Sequence, residues 1–345
     1  MVLLHNDYNE ICHPEVLKAV TESATQQFPG YGVDDLCKRA AARIKALCEN
    51  DDLDVHFLVG GTQTNLTVIA ASLRPYQGVI SADTGHINVH ETGAIEATGH
   101  KVLALPSPDG KLTAQQVRAA AGAQSEAMDP EHTVQPKMVY ISNTTEVGTI
   151  YTKAELEELS CACKDCGLYL FMDGARLGYG LTAPGNDLTL ADLARCCDVF
   201  YIGGTKVGAM FGEAVVFSNK QIAEDFRYMI KQRGGMLAKG WLLGLQFDTL
   251  LKDDLYFKVA AHANKLAQQL RDTLADLKIP VLVESPSNQI FPILPDCVLS
   301  SLDKDFTYNF MEKVDESHSC VRFCTSWATK QADIDALCDA LRKYC

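Results

Sequence analysis

Leu168-Tyr169-Leu170-Phe171-Met172-Asp173-Gly174-Ala175-Arg176 and, further on, Val199-Phe200-Tyr201-Ile202-Gly203-Gly204-Thr205-Lys206 are built alike: an apolar run, then a turn carrying charge. Short continuous apolar runs closed by glycine fit parallel strands buried on both faces. Ligands in open α/β sheets collect outside the carboxyl ends of the strands. Asp173 and Lys206 are therefore expected to face one crevice.

The surrounding chain repeats the pattern. Val55–Val59, Gly78–Ser81, Lys101–Leu105 and Lys137–Ile141 read as further strands, alternating with helical stretches. Thr113 with Gln116 and Thr152 with Glu155 have capping-box spacing and mark two helix starts. Gly212–Phe217 follows Lys206 too soon for a crossover helix, so it is expected to return antiparallel. A helical stretch over 223–274, broken at Gly234-Gly235 and Asp253-Asp254, leads away. Beyond it Val281–Val283, Gln289–Ile293 and Cys320–Phe323 read as strands, with helices around Phe306–Met311 and from Ala332. The expectation is an α/β protein: a mostly parallel central sheet with helices on both faces over 1–250, and a small α+β domain over 251–345.

An aspartate and a lysine at one sheet end suit pyridoxal 5'-phosphate, which needs an amine for its Schiff base and an acid opposite its ring nitrogen. Lys206 follows two glycines, where backbone can approach a ligand closely. A solvated strand-end lysine and an aspartate serving as helix N-cap are the bland alternatives for each residue alone. Arg176 lies three residues after Asp173, placed for a cofactor oxygen or a substrate carboxylate. Gly61-Thr62-Gln63-Thr64, between a strand and a helix, makes a phosphate site, although it has neither a P-loop lysine nor the dinucleotide glycine spacing. His86 falls in a strand-end loop, suited to stacking on a flat ring or moving a proton. Arg322 interrupts an apolar strand and calls for an anionic partner.

Charge and cysteines bound the rest. The net charge is −13, from 31 basic and 44 acidic residues, with no basic block, so nucleic acid and membrane are poor partners. No apolar run is long enough to span a bilayer, and Met1–Asp7 does not read as the start of a secretory signal. The 13 cysteines are scattered through 345 residues, which fits reduced thiols in a cytoplasm. Cys161-Ala162-Cys163-Lys164-Asp165-Cys166 is read as a helix end, since no second half-site accompanies it, and no metal is expected.

The ordered set Asn6-Asp7, Tyr31-Gly32-Val33-Asp34-Asp35, Gly61-Thr62-Gln63-Thr64-Asn65, His86, Asp173-Gly174-Ala175-Arg176, Gly203-Gly204-Thr205-Lys206 and Arg322 resembles the threonine aldolases. These are β-eliminating lyases among the fold-type-I (aspartate-aminotransferase-like) pyridoxal phosphate enzymes. The resemblance runs over essentially the whole chain. It implies that Lys206 carries the cofactor, Asp173 pairs its ring nitrogen, His86 stacks on the ring, and Gly61 and Thr62 hold the phosphate. It also implies that Asn6, Arg176 and Arg322 serve cofactor oxygen and substrate carboxylate. Active sites would lie at the interface of a homodimer or homotetramer, with Tyr31 near the neighbour's cofactor. Two positions depart from the pattern. Where the well-studied aldolases carry Asn-Thr-His, this chain reads Asn143-Thr144-Thr145-Glu146, leaving Thr145 to contact the β-hydroxyl. The arginine after Gly-Gly-Met is Leu237, with Lys239 the nearest cation. The implied reaction is aldol cleavage of an L-β-hydroxy-α-amino acid, with His86, Glu146 or a water as base. β-Elimination, transamination and cofactor binding without turnover are the competing readings.

Overall fold

The computed structural model describes residues 1–345. After a short strand β1 (Val2–Leu3), seven strands build the central sheet: β2 (Asp54–Leu58), β3 (Gln77–Ala82), β4 (Val102–Leu105), β5 (Gln135–Ser142), β6 (Tyr169–Asp173), β7 (Val199–Gly203) and β8 (Glu213–Phe217). Their order is β2-β8-β7-β6-β5-β3-β4. β8 pairs antiparallel with both neighbours, as its short connection demands, and the other pairings are parallel. Both expected capping boxes form, at Thr113 and Thr152.

Strand alternation sorts the apolar runs onto two faces. Val139, Ile141, Leu170, Met172, Phe200 and Ile202 join one core. Met138, Tyr140, Phe171, Val199, Tyr201 and Val215 join the other, under the helix Gly61–Ser72. On that second face Tyr140, Phe171 and Tyr201 pile edge to face or tilted, with ring centroids 5.5 and 6.3 Å apart. Phe171 is wholly buried, and truncating it to alanine costs about 3–5 kcal/mol. The same face carries Ser142 and Asp173, paired in register at the ends of β5 and β6.

The long helical stretch breaks at both expected places and also at Glu224-Asp225, between the helices Lys220–Ala223 and Phe226–Gln232. Gly234, Asp253 and Asp254 all have positive φ, and the helix Leu255–Asp276 starts after them. The C-terminal sheet contains β9 (Gln289–Ile290), β10 (Ile293–Pro295), β12 (Asn309–Lys313) and β13 (His318–Cys324), all antiparallel about β13; the intervening β11 (Phe306–Thr307) pairs parallel with β1 instead. Three expectations are corrected here. Phe306–Met311 is not a helix: it holds β11 and the start of β12. Val281–Val283 forms only a single bridge, Val281 to Pro292. The expected strand Gln289–Ile293 is split at Phe291-Pro292 into β9 and β10, proline being unable to donate to the ladder. Cys161–Cys166 closes the helix Lys153–Asp165, with Cys166 as its C-cap. No helix is long and apolar enough to cross a membrane.

Candidate active site

A cavity of about 320 Å³ opens at the carboxyl ends of the central strands. It is lined by the turn after β2 (Gly60, Gly61, Thr62), by His86, by Ser142, Thr144 and Glu146 after β5, and by Asp173, Ala175 and Arg176 after β6. Tyr201, Thr205 and Lys206 of β7 and its turn complete it, with Glu213 of β8 and Tyr8. Lys206 and Asp173 thus meet, as the strand-end reading requires. Burial and Arg176 push the Lys206 amine below its usual pKa, toward a nucleophilic free base.

Asp173 is buried yet held below the usual carboxylate range. Burial alone would raise its pKa, but His86 nearby and its hydrogen-bond donors outweigh that. Oδ1 accepts the Ala175 N–H at 2.9 Å. Oδ2 accepts the Tyr140 hydroxyl at 2.5 Å and Asn65 Nδ2 at 3.1 Å. The buried Tyr201 hydroxyl lies close enough to Asp173 to help lower its pKa, yet makes no hydrogen bond of ordinary geometry.

The helix Gly61–Ser72 begins at Gly60 with no side chain capping it, so its first N–H groups are open to an anion. A Cβ on Gly61 would come within 3.2 Å of the Tyr201 hydroxyl. Lys239 and Leu237 are not among the residues lining the cavity; Leu237 and Tyr31 line a separate cavity of about 140 Å³.

Arg176 is not free to swing toward a ligand. Its Nε and Nη2 grip the buried Asp7 at 2.8 and 3.0 Å. Asn288 Nδ2 adds a third bond to Asp7 at 2.9 Å. Burial opposes ionisation of Asp7, but Arg176 and Lys206 hold its pKa at about 2. Arg322, on β13, reaches Gln289 at 3.2 Å and the His5 carbonyl at 3.3 Å, and its Nε is buried with no acceptor. It has no acidic partner on this chain and does not line the cavity. Asn6 does not line it either; its carboxamide oxygen accepts the Tyr8 N–H at 3.0 Å.

His86 opens a short helix, its Nδ1 2.8 Å from Glu91 Oε1. Glu146 Oε1 accepts the His86 N–H at 3.0 Å and the Ser142 hydroxyl at 2.7 Å. Burial and then Asp173 raise the Glu146 pKa. Thr145 turns away from the cavity: its Oγ1 lies 2.7 Å from Thr149 Oγ1 and accepts the Thr149 N–H. The threonine presented to the cavity is Thr144, whose buried hydroxyl has no partner.

Several of these groups escaped the sequence reading. Tyr140 and Tyr201 sit inside apolar runs, where a tyrosine passes as core. Glu213 is buried and pushed up to about 8 by burial, although Thr205 donates to it at 2.9 Å. A glutamate opening an otherwise apolar strand was its only mark.

A family model described as beta-eliminating lyase matches residues 13–295. A low-specificity L-threonine aldolase of Pseudomonas sp. (strain NCIMB 10558) is 33% identical over 342 residues, which is 98% of this chain and 96% of that protein. A solved structure of threonine aldolase from Leishmania major is 48% identical, with a TM-score of 0.97 over 99% of each chain. An aspartate aminotransferase double mutant of Thermus thermophilus shares the fold alone, with a TM-score of 0.73 at 14% identity over 100% of this chain and 92% of that one.

Proposed function

The chain belongs to the beta-eliminating lyase family, with fold-type-I architecture, and we propose that it is a pyridoxal-phosphate-dependent aldolase. It would split the Cα–Cβ bond of an L-β-hydroxy-α-amino acid such as threonine, allo-threonine or phenylserine into glycine and an aldehyde. The observation that carries this reading is the convergence of Lys206 and Asp173 on one cavity, in a chain matched along its length by threonine aldolases.

The residues present fit the cofactor. The uncapped start of the helix at Gly61-Thr62 suits its phosphate, and Tyr201 has a buried hydroxyl in want of a partner. Lys206 would bind it covalently through the ε-amine, Asp173 would keep its ring nitrogen protonated, and His86 is placed to stack on the ring. When bound, pyridoxal phosphate supplies an electron sink for the bond broken at Cα. Asp7 fixes the Arg176 guanidinium, so that group meets its ligand already oriented. Arg322, with its orphaned Nε, suits the substrate carboxylate. Two groups can take the β-hydroxyl proton: His86, whose Nδ1 is engaged by Glu91, and Glu146, whose raised pKa brings it closer to the working range of an acid–base group. Thr144, rather than Thr145, is the hydroxyl able to contact that end of the substrate.

A homo-oligomer with active sites at the subunit interface belongs to the same reading, with the half-exposed Tyr31 and Val33 available to such an interface. Cofactor-loaded protein incubated with threonine, allo-threonine, phenylserine, serine and cysteine tests the reaction. Glycine plus aldehyde from the β-hydroxy amino acids is expected. Ammonia plus a keto acid as the main products would replace aldol cleavage with elimination.

A further inference from the structure

The hydrogen bonds around Asp173 do more than satisfy a buried carboxylate. β5 and β6 run parallel with Ser142 opposite Asp173 and Tyr140 opposite Phe171, so alternation puts Tyr140 and Asp173 on the same face one step apart. The phenol reaches Oδ2 at 2.5 Å, the short end of the range for a hydroxyl donating to a charged oxygen. The same oxygen takes Asn65 Nδ2, which is also 2.7 Å from Glu91 Oε1, the atom that holds His86 Nδ1. The ring-stacking histidine and the ring-nitrogen partner are therefore joined through one hydrogen-bonded chain that ends on Tyr140: His86, Glu91, Asn65, Asp173, Tyr140.

We propose that Tyr140 is a positioning residue whose phenol competes with the cofactor's ring nitrogen for the Asp173 carboxylate, and so sets how firmly that nitrogen holds its proton. The inference rests on the reading of this cavity as a pyridoxal phosphate site. A hydrogen bond to the ionised form of an acid lowers its affinity for a proton. Each donor on Asp173 thus weakens what remains for the ring nitrogen. Burial and Asp173 keep the Tyr140 phenol protonated far above neutral pH, so it acts as a donor throughout the working range. Its bond to Asp173 is fixed by two adjacent strands, while a loop group would be free to move away. A pure packing role is separable, because the Tyr140 ring meets Phe171 edge to face while its hydroxyl bonds Asp173.

The test is the ring nitrogen itself. Wild-type protein and Tyr140→Phe are loaded with pyridoxal 5'-phosphate labelled with 15N in the ring, and the 15N shift is followed at fixed pH and across a titration. Tyr140→Phe keeps the edge-to-face contact with Phe171 and leaves His86, Glu91, Glu146, Tyr201, Lys206 and Glu213, the other titratable groups about Asp173, in place. The expected result is a shift toward the protonated value and a titration midpoint higher by roughly one pH unit. A site-specific 3-fluorotyrosine at position 140, a more acidic and stronger donor that preserves the fold, moves both in the opposite direction and decides the matter if Tyr140→Phe misfolds. Bound cofactor with an unmoved 15N signal in every variant overturns the inference and leaves the cofactor site standing. Wild-type protein that takes up no cofactor overturns the underlying reading, and the inference with it.

Discussion

Asp173 and Glu213 stand at the same end of the central sheet, one closing β6 and the other opening β8, and both are buried. They carry opposite charge states near neutral pH. Asp173 receives three donors and lies beside His86, and it stays ionised. Glu213 receives Gly204 N–H at 3.1 Å and Thr205 Oγ1 at 2.9 Å and has Lys206 nearby, yet burial, helped by the charge on Asp173, pushes it up to about 8. Burial penalises both alike. The carboxylate better supplied with donors ionises first, and its charge then makes the second harder to ionise. The anion is thereby assigned to Asp173, the carboxylate that the proposed function sets against the cofactor's ring nitrogen.

Asp173→Asn breaks this arrangement most severely. Under the proposed function it removes the ionised partner of the ring nitrogen, and kcat is expected to fall by roughly 10³-fold, the scale of a lost proton-holding group. Steady-state assays on cofactor-saturated variant check it. A loss under tenfold would move the acidic partner elsewhere.

Glu213→Gln sharpens the contrast through pH. Glu213 holds its proton in the folded protein up to about 8, against 4.5 in the unfolded chain. Its contribution to stability is therefore complete below pH 4.5 and lost as pH rises toward 8, with a slope of about 1.4 kcal/mol per pH unit at its steepest. Denaturant melts at several pH values are expected to show that decline in wild type and its absence in Glu213→Gln. Parallel profiles in both proteins would mean that Glu213 is already ionised.

Asp7 supplies the opposite slope. Its pKa is 3.8 unfolded and about 2 folded, so its stabilisation is present above pH 3.8 and lost as pH falls through 2. The linkage amounts to about 2 kcal/mol. Asp7→Asn should flatten acid unfolding by that amount and also loosen Arg176, raising KM more than it lowers kcat. An unchanged acid profile would show that Arg176 does not depend on Asp7.

The strands that bear the site were legible because buried parallel strands are continuous apolar runs, and a charged residue ending one stands out; Lys206 and Asp173 owe their visibility to that. The C-terminal sheet has no such mark. Phe306–Met311 reads as helix because a register shift between Phe310 and Glu312 breaks strand alternation and leaves Phe310 and Met311 both outside. Val281–Val283 is apolar but peripheral, with Leu282 41% exposed. In the site, what escaped was long-range pairing. Nothing local to Asp7 foretells a guanidinium 169 residues away, and nothing local to Tyr140 foretells a carboxylate 33 residues on. Thr145 holds the motif position of a site residue, but its rotamer, bonded to Thr149, turns it away from the cavity, and sequence alone does not show a rotamer.

The smallest expected effect separates those two neighbouring threonines. Thr145 Oγ1 is buried and bonded to Thr149 twice, through hydroxyl and amide, so Thr145→Val removes one partner from a satisfied pair. That should cost about 1–3 kcal/mol of stability, while kcat/KM stays within about twofold because the side chain points out of the cavity. Thr144 Oγ1 is buried with no protein partner and lines the cavity, so Thr144→Val forfeits no hydrogen bond in the free protein. Its melting temperature should hold while kcat/KM for threonine falls about tenfold, the worth of one hydrogen bond to a substrate hydroxyl. The pair is read from melting curves and kinetics together. A Thr145→Val protein of native stability with collapsed kcat/KM would reverse the assignment, returning the β-hydroxyl contact to Thr145.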